Sequence, residues 1–220
     1  GTESRPGTGS RWREHYNSRL VQPEDVAAQV RSGNRLYVVT SHESAPLLAA
    51  LLGRADELTD LEIRSLGGMW TDYGFQNGQW AHMVRANMSF GTPTSRQAID
   101  DGVTDFTVVG YGDAFRHIDQ KRAGSEPFDF CWFTVTPPNE AGYCCAGAEL
   151  WDLRTSMKRS KVNVAAVNQL PASDPGRALI ANKEAMSRLH FPLPIPEDWP
   201  NPNCCAILAM RSRPTFSAKW

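Results

Sequence analysis

Apolar and polar positions along the chain change period several times, and the changes outline alternating helices and strands. In RWREHYNSRLV, the residues Trp12, Tyr16 and Leu20 stand at i, i+4 and i+8, a helical spacing. PEDVAAQVRSGN opens on Pro23 at a first-turn position and places Glu24 and Asp25 where they suit the helix dipole. Val26 and Val30 share one face of that helix, and Gly33 is expected to end it. The period then shortens. RLYVVTS is a β-branched run from Leu36 to Thr40 that predicts a buried strand. SHESAP interrupts it, PLLAALLGRADEL predicts a helix starting near Pro46 with a break at Gly53, and TDLEIRSLGG predicts a second strand closing at Gly67 and Gly68. Strand, loop, helix, strand is the β-α-β order of a parallel sheet.

The next segment, MWTDYGFQNGQWAHMVRANMSFG, has no clean period and reads as a long loop with short strands or a turn of helix. TPTSRQAIDDG predicts a short helix with Thr94 or Ser95 as N-cap and a stop at Gly102. VTDFTVVGYGDA predicts a third strand and PFDFCWFTVTPPN a fourth. The fourth is apolar on nearly every position, as a strand buried on both faces must be. LWDLRTSMKRSK predicts a helix and VNVAAVNQLP a fifth strand stopped by Pro171. Beyond Ala172 the character changes: five prolines lie between Pro192 and Pro202, which excludes a helix or a central strand there. That stretch reads as an extended cover or tether, and CCAILAMR as one last strand. The expected fold is α/β: an open, mostly parallel sheet flanked by helices. It forms one domain over residues 11–220, after a flexible leader at 1–10 and with a Pro-rich tail at about 190–203.

Composition narrows the function. The 220 residues are 41% hydrophobic and 21% charged, ordinary for a globular chain with a sizeable core. A formal net charge of −1 removes the electrostatic case for nucleic acid as a partner. No apolar run approaches the roughly 20 residues of a membrane helix, and the polar start lacks the apolar stretch of a secretory signal, so a cytoplasmic location is expected. Five cysteines, Cys131, Cys144, Cys145, Cys204 and Cys205, do not make a disulfide framework. None has the spacing of a structural zinc site, and the five histidines form no metal motif, so no metal is expected. Buried packing is the plain reading of the cysteines.

Several stretches, taken in order, resemble one family. VQPEDVAAQVRSGNRLYV resembles its opening helix and strand. SHESAPLLAALLGRADELTDLEI resembles the loop and helix that follow, and FGTPTSRQAIDDGVTDFTVV a stretch with the pattern R-x-A-I-x-x-G. TPPNEAGYCCAGAELW resembles S-P-P-D-x-x-G-Y-x-S-L-G, and KVNVAAVNQLPASDPG the strand V-I-x-E-V-N-x-x-M-P. The family is the acetyl-CoA hydrolase / 4-hydroxybutyrate CoA-transferase group of the class I CoA-transferases, and the resemblance runs from about Arg11 to Gly176.

The resemblance implies a substrate and a division of labour. The substrate would be a coenzyme A thioester, with no permanently bound cofactor, and the reaction would move CoA between carboxylic acids or hydrolyse an acyl-CoA. Full-length members carry a second α/β domain that holds the catalytic glutamate. A second, CoA-transferase-like subunit in a hetero-oligomer is therefore the expected partner. The Pro-Pro loop would lie beside the acyl-CoA site: Pro137 and Pro138 fix its backbone, and Gly142 allows a turn that a Cβ forbids. Asn139, Gly142, Tyr143, Cys145 and Gly147 are its expected substrate-facing positions. The chain departs from the pattern at Ser41, His42, Glu43 and Ser44, where the family tends to glycine. It departs again at Asn139, where the family has Asp, and at Cys145-Ala146, where it has Ser-Leu.

Chemistry points to the same loops. Thioester transfer needs a carboxylate nucleophile and donors for the developing oxyanion, and strand-end loops of an α/β sheet supply donors well. Glu43 is a candidate nucleophile or base, His42 a candidate acid or base, and Glu140 a second candidate carboxylate. The plainer reading of each is an ordinary polar loop residue. Ser41 and Ser44 flank the first pair, Gly67 and Gly68 allow close approach of a ligand, and Arg96 suits a carboxylate or phosphate or a neighbouring loop. Trp70, Tyr73, Phe75 and Trp80 line a pocket for an apolar or ring-bearing acyl group, or form core or a subunit interface. Two other readings stay open: a family member repurposed for another acyl reaction, such as ring opening or cyclisation, and a non-catalytic binding or scaffold subunit.

Overall fold

The computed structural model describes residues 13–14, 16–67, 73–93, 95–110, 113, 116, 126–138, 144, 146 and 152–167, and the backbone of 206–211. Eight strands form one sheet: β1 (Leu20–Val21), β2 (Arg35–Val38), β3 (Leu61–Ser65), β4 (Val84–Met88), β5 (Asp105–Phe106), β6 (Phe128–Val135), β7 (Ser160–Val167) and β8 (Ala206–Arg211). Helices among the described residues include α1 (Pro23–Ala27), α2 (Ala45–Leu52), α3 (Arg96–Asp100) and α4 (Leu153–Lys158). The strand order is β1-β8-β7-β6-β2-β3-β4-β5. The six strands from β7 to β5 are parallel, and β8 and β1 add an antiparallel border beyond β7. The expected α/β fold with an open, mostly parallel sheet is the one found.

Alternation along β2 shows why the middle of the sheet is apolar on both faces. Leu36 and Val38 enter one core with Phe130, Trp132, Leu61 and Ile63, under Leu47, Leu48 and Leu51 of α2. Tyr37 and Val39 enter a second core with Cys131, Phe133 and Ala165, under Leu153 and Met157 of α4. The two helices lie on opposite faces for a topological reason. The chain leaves β2 towards β3 in one direction and leaves β6 towards β7 in the other. A right-handed crossover therefore puts α2 and α4 on opposite sides.

At the amino end of these strands charge replaces packing. Lys161, Asp129, Arg35, Glu62 and Arg85 sit on five neighbouring strands in one row and alternate in sign, and Asp105 completes the series from β5. Asp129 accepts from the Arg35 amide at 2.8 Å and from Lys161 Nζ at 2.7 Å. Partial burial would raise its carboxyl, but Lys161 and the Arg35 amide hold it below the usual range. Arg35 also donates to both carboxylate oxygens of Glu62 and to the Glu126 carbonyl. One row further in, burial pushes the Arg64 guanidinium below its usual range against the pull of Glu62.

Several elements differ from the expectation. The first helix covers residues 13–14 and 16–17 and turns at 18–19, so Leu20 opens β1. The second stops at Ala27, and Gly33 serves a later turn at φ 79°, its amide donating to the Thr59 carbonyl. The segment read as a long loop with short strands or a turn of helix does contain a short strand, β4, whose sequence VRANM alternates buried and exposed over only five residues, too few to fix its bounds beside the polar stretch before it. The third strand shrinks to Asp105–Phe106, and Val108, expected within it, is 88% exposed. Phe75 is core, and Tyr73 and Trp80 pack against that core, with the Trp80 indole donating to the Tyr73 carbonyl. Trp70, the leader and the Pro-rich tail lie outside the described residues.

Two measurements test this architecture. Replacing Arg35 with Met strands the half-buried Glu62 carboxylate and should cost about 1–2 kcal/mol, read as a lowered urea midpoint. Asp152, the N-cap of α4, is 1% exposed, and burial pushes its carboxyl from 3.8 to about 6, opposed by its own amide and the Ser156 hydroxyl. A raised folded-state pKa favours the protonated form. The native state thus loses stability as pH climbs from about 4 through 6. Asp152→Asn should match the wild type at pH 4 and exceed it at pH 7.5 by on the order of 2–3 kcal/mol, measured by urea unfolding at both pH values.

Candidate functional site

The chain reverses its direction of travel across the sheet at one place. From β2 it proceeds through β3, β4 and β5, and it re-enters on the other flank of β2 as β6. The loops leaving the carboxyl ends of β2 and β6 therefore diverge. In an open α/β sheet the crevice outside such a reversal is where ligands bind. The two loops are Val39–Ser44 and Thr136–Pro138, and they hold Ser41, His42, Glu43, Ser44 and the start of the Pro-Pro segment.

The ladder between β2 and β6 runs out here. Val39 still donates to the Trp132 carbonyl at 3.1 Å. Ser41 then takes φ 62°, a left-handed conformation, and the chain turns out of the sheet. His42 donates its amide to the Val39 carbonyl at 3.0 Å and folds its side chain back, so that it is only 3% exposed. Its Nδ1 lies 3.0 Å from the Thr134 hydroxyl, 3.2 Å from the Thr134 carbonyl and 3.3 Å from the Thr134 amide nitrogen. Glu43, next in line, is half-buried, and Ser44 is buried as the N-cap of α2. Pro46 lies in the first turn of that helix, as expected from its preset φ, and the helix N-terminus aims its amides at the same crevice.

A second tie joins β2 to β3. Thr40 accepts from the Gly67 amide at 2.8 Å, and its hydroxyl lies 3.4 Å from that of Ser65. A Cβ on Gly67 would stand 2.7 Å from Thr40 Cγ2, so the glycine is required by close approach.

The predicted residues divide into three groups. Ser41, His42, Glu43, Ser44 and Gly67 come together at the carboxyl edge. Arg96 opens α3, exposed, after β4, two strands away from β2. Gly68, Asn139, Glu140, Gly142, Tyr143, Cys145 and Gly147 lie outside the described residues. Cys131 and Cys144 are buried thiols, and burial pushes the Cys131 thiol far up, which suits packing. Among the described residues no group of three His, Cys, Asp or Glu side chains could hold a metal. Nor, among those residues, is any helix long and apolar enough to cross a membrane. Thr40, Ser65 and Thr134 were missed. Their signal in the sequence is faint: each is a small hydroxyl residue at the carboxyl end of an apolar strand.

A shallow depression of about 270 Å³, lined by Asp60, Ala81, Met83, Val84, Arg85 and Val103, lies at the opposite, amino edge. Of its charged residues, Arg85 belongs to the ionic row through its bond to Asp105.

Residues 7–176 match the family model described as the acetyl-CoA hydrolase/transferase N-terminal domain. Among solved structures, RipA from Yersinia pestis is similar with a TM-score of 0.61 and 21% identity. The match covers 70% of this chain and 37% of that one, so the chain spans little more than a third of the length of RipA. A 4-hydroxybutyrate CoA-transferase from Porphyromonas gingivalis matches with a TM-score of 0.50 and 18% identity, over 71% of this chain and 35% of that one. A decarboxylase, AibA/AibB, matches with a TM-score of 0.51 and 15% identity, over 69% and 76%. No match was found among curated protein sequences.

Replacing Gly67 with Ala should cost about 1–2 kcal/mol, because the new methyl displaces Thr40 and breaks its bond to the residue-67 amide. Adding Thr40→Ser removes the clashing Cγ2 and keeps the hydroxyl, so the double variant should recover most of the loss in thermal or urea unfolding.

Proposed function

The chain belongs to the family of acetyl-CoA hydrolase/transferase N-terminal domains, and from that premise we propose that it forms one wall of an acyl-CoA site. The reaction is exchange of CoA between carboxylic acids or hydrolysis of the thioester. The glutamyl nucleophile comes from a partner chain. The observation that carries this reading is the convergence of His42, Glu43 and the N-terminus of α2 at the crevice between β2 and β6. Fixed donors around a crevice are what an oxyanion formed from a thioester needs. On this reading Glu43 contacts the reacting groups without being the main nucleophile. On this reading the carboxylate belongs to the second α/β domain that the family resemblance implies.

A second reading is favoured by one specific feature. The decarboxylase has this fold, and the loop after β2 here carries Ser41-His42-Glu43-Ser44 where glycine is expected. On that reading the fold performs a different acyl reaction, with His42 or Glu43 recruited for it.

One experiment separates the two. The chain is purified with whatever accompanies it, incubated with acetyl-CoA, and treated with borohydride or hydroxylamine. Transfer chemistry should leave a modified glutamate on the accompanying chain, visible by mass spectrometry, and Glu43→Gln should still give that adduct. Absence of any adduct across a panel of acyl-CoAs, together with loss of turnover in His42→Gln and Glu43→Gln, would move the assignment to the repurposed enzyme.

A further inference from the structure

Among the described residues the exposed large apolar side chains are Phe90, Val103, Phe106 and Val108, and all four lie in or beside β4 and β5. β5 is one border of the sheet, and the other border is the antiparallel pair β8 and β1. Exposed apolar groups gathered in one place mark an interaction surface. Open sheet edges usually carry Lys or Pro to prevent pairing, and VTDFTVV, residues 103–109, carries neither.

The hydrogen bonds of β5 fix which of its main-chain groups face outward. Met88 pairs with Phe106, and the Thr107 amide donates to the Met88 carbonyl at 2.8 Å. In a parallel ladder this puts the inward groups on Asp105 and Thr107, so the N–H and C=O of Phe106 point away from β4. Alternation gives Val108 the same direction. The open stretch is short. The amides of Val103 and Thr104 both donate to the Ala98 carbonyl, and the Gly110 carbonyl accepts from the Asp113 amide. What remains is 105–109, centred on Thr107.

A stretch centred in this way complements itself. Laid antiparallel across a two-fold axis at Thr107, Phe106 meets the second copy's Val108 and exchanges both main-chain bonds with it, and the symmetric pair does the same. Both side chains stand on the α2 face, since Phe106 pairs with Met88, which is in phase with Val84 of that core. Val108 is 88% exposed and Phe106 42%, and in this pairing each covers the other. On the axis the two Thr107 residues form the close, non-hydrogen-bonded pair, which suits β-branched side chains. The charges are compatible as well. Asp105 is the one charged residue of the stretch, and Arg85 donates to both its carboxylate oxygens. The pairing sets it opposite Val109 of the other copy, which holds the two Asp105 residues roughly 13 Å apart along the ladder.

We propose that two copies of this chain join β5 to β5 across a two-fold axis at Thr107, so that their sheets run on as one. The inference is independent of the acyl-site reading, because the unit that doubles is the chain with any partner it carries.

The test uses the full chain with any co-purified partner. Sedimentation velocity should show twice the mass of that unit at high concentration. Val108→Lys puts a charge into the apolar pair, and Val108→Pro removes an outward amide. Each should raise the dissociation constant at least about tenfold and leave the urea midpoint unchanged, since Val108 is exposed. Oxidation should link Thr107→Cys into a covalent dimer, because Cα atoms of a non-hydrogen-bonded pair lie about 4.5 Å apart. Val109→Cys, roughly 13 Å from its own mate, should not link. The wild-type chain, with its five cysteines, gives the background. A mass that never exceeds one unit overturns the proposal. So does a dimer that either Val108 variant leaves intact: copies then meet elsewhere, and the partner chain or another segment of this one covers the edge. Failure of Thr107→Cys to link, or equal linking of the two cysteine variants, overturns the register.

Discussion

The parallel ladder between β2 and β6 is the constraint on which the rest depends. Most positions of both strands are apolar, so burial alone specifies their register poorly: a one-residue slip would exchange one set of apolar side chains for another. Register in a sheet is normally set by which face is buried, and here both faces are. The charged row supplies the missing discrimination. Arg35 must meet Glu62 on one side and Asp129 on the other, and Asp129 must meet Lys161. A slip would separate these pairs and carry half-buried charge into an apolar core. Such pairs add little net stability where they are solvated, and their value lies in excluding alternatives.

With the register held at the amino end, the carboxyl end is free to diverge. The direction of travel reverses between β2 and β6, so α2 and α4 fall on opposite faces and the loops part. The parting leaves main-chain groups of Thr134 facing a gap that a continuing strand would have closed. His42 is buried because it fills that gap, and Ser41 adopts its left-handed conformation to bring it there. The site is thus a consequence of how the sheet ends, with the two loops held by Thr40, Gly67 and Thr134 on three adjacent strands.

The same scaffold serves proteins described as a CoA-transferase and as a decarboxylase. A fold that admits both places its differences in loops, where residues change without disturbing the core. In this chain the departures from the family pattern fall at Ser41–Ser44, Asn139 and Cys145-Ala146, in the loops after β2 and β6.

How much of this was legible beforehand follows the range of the interactions. Short-range features could be read directly. The β-α-β order, the two-sided burial of FDFCWFTV and the proline opening α2 each follow from period or turn chemistry. VRANM reads only as an unbounded short strand within a loop, because five residues of alternation carry little signal beside a polar stretch, and VTDFTVVGYGDA overextends β5, because an apolar run does not by itself ensure burial. By itself the amino-acid sequence determined the class of fold, the family and the loop that bears His42 and Glu43. Tertiary structure alone decided that Lys161, Asp129, Arg35, Glu62 and Arg85 form one row, and that Thr134, 92 residues from His42, is what His42 touches. The reason is physical: which strands become neighbours depends on the sum of packing over the whole sheet, and no local pattern records it.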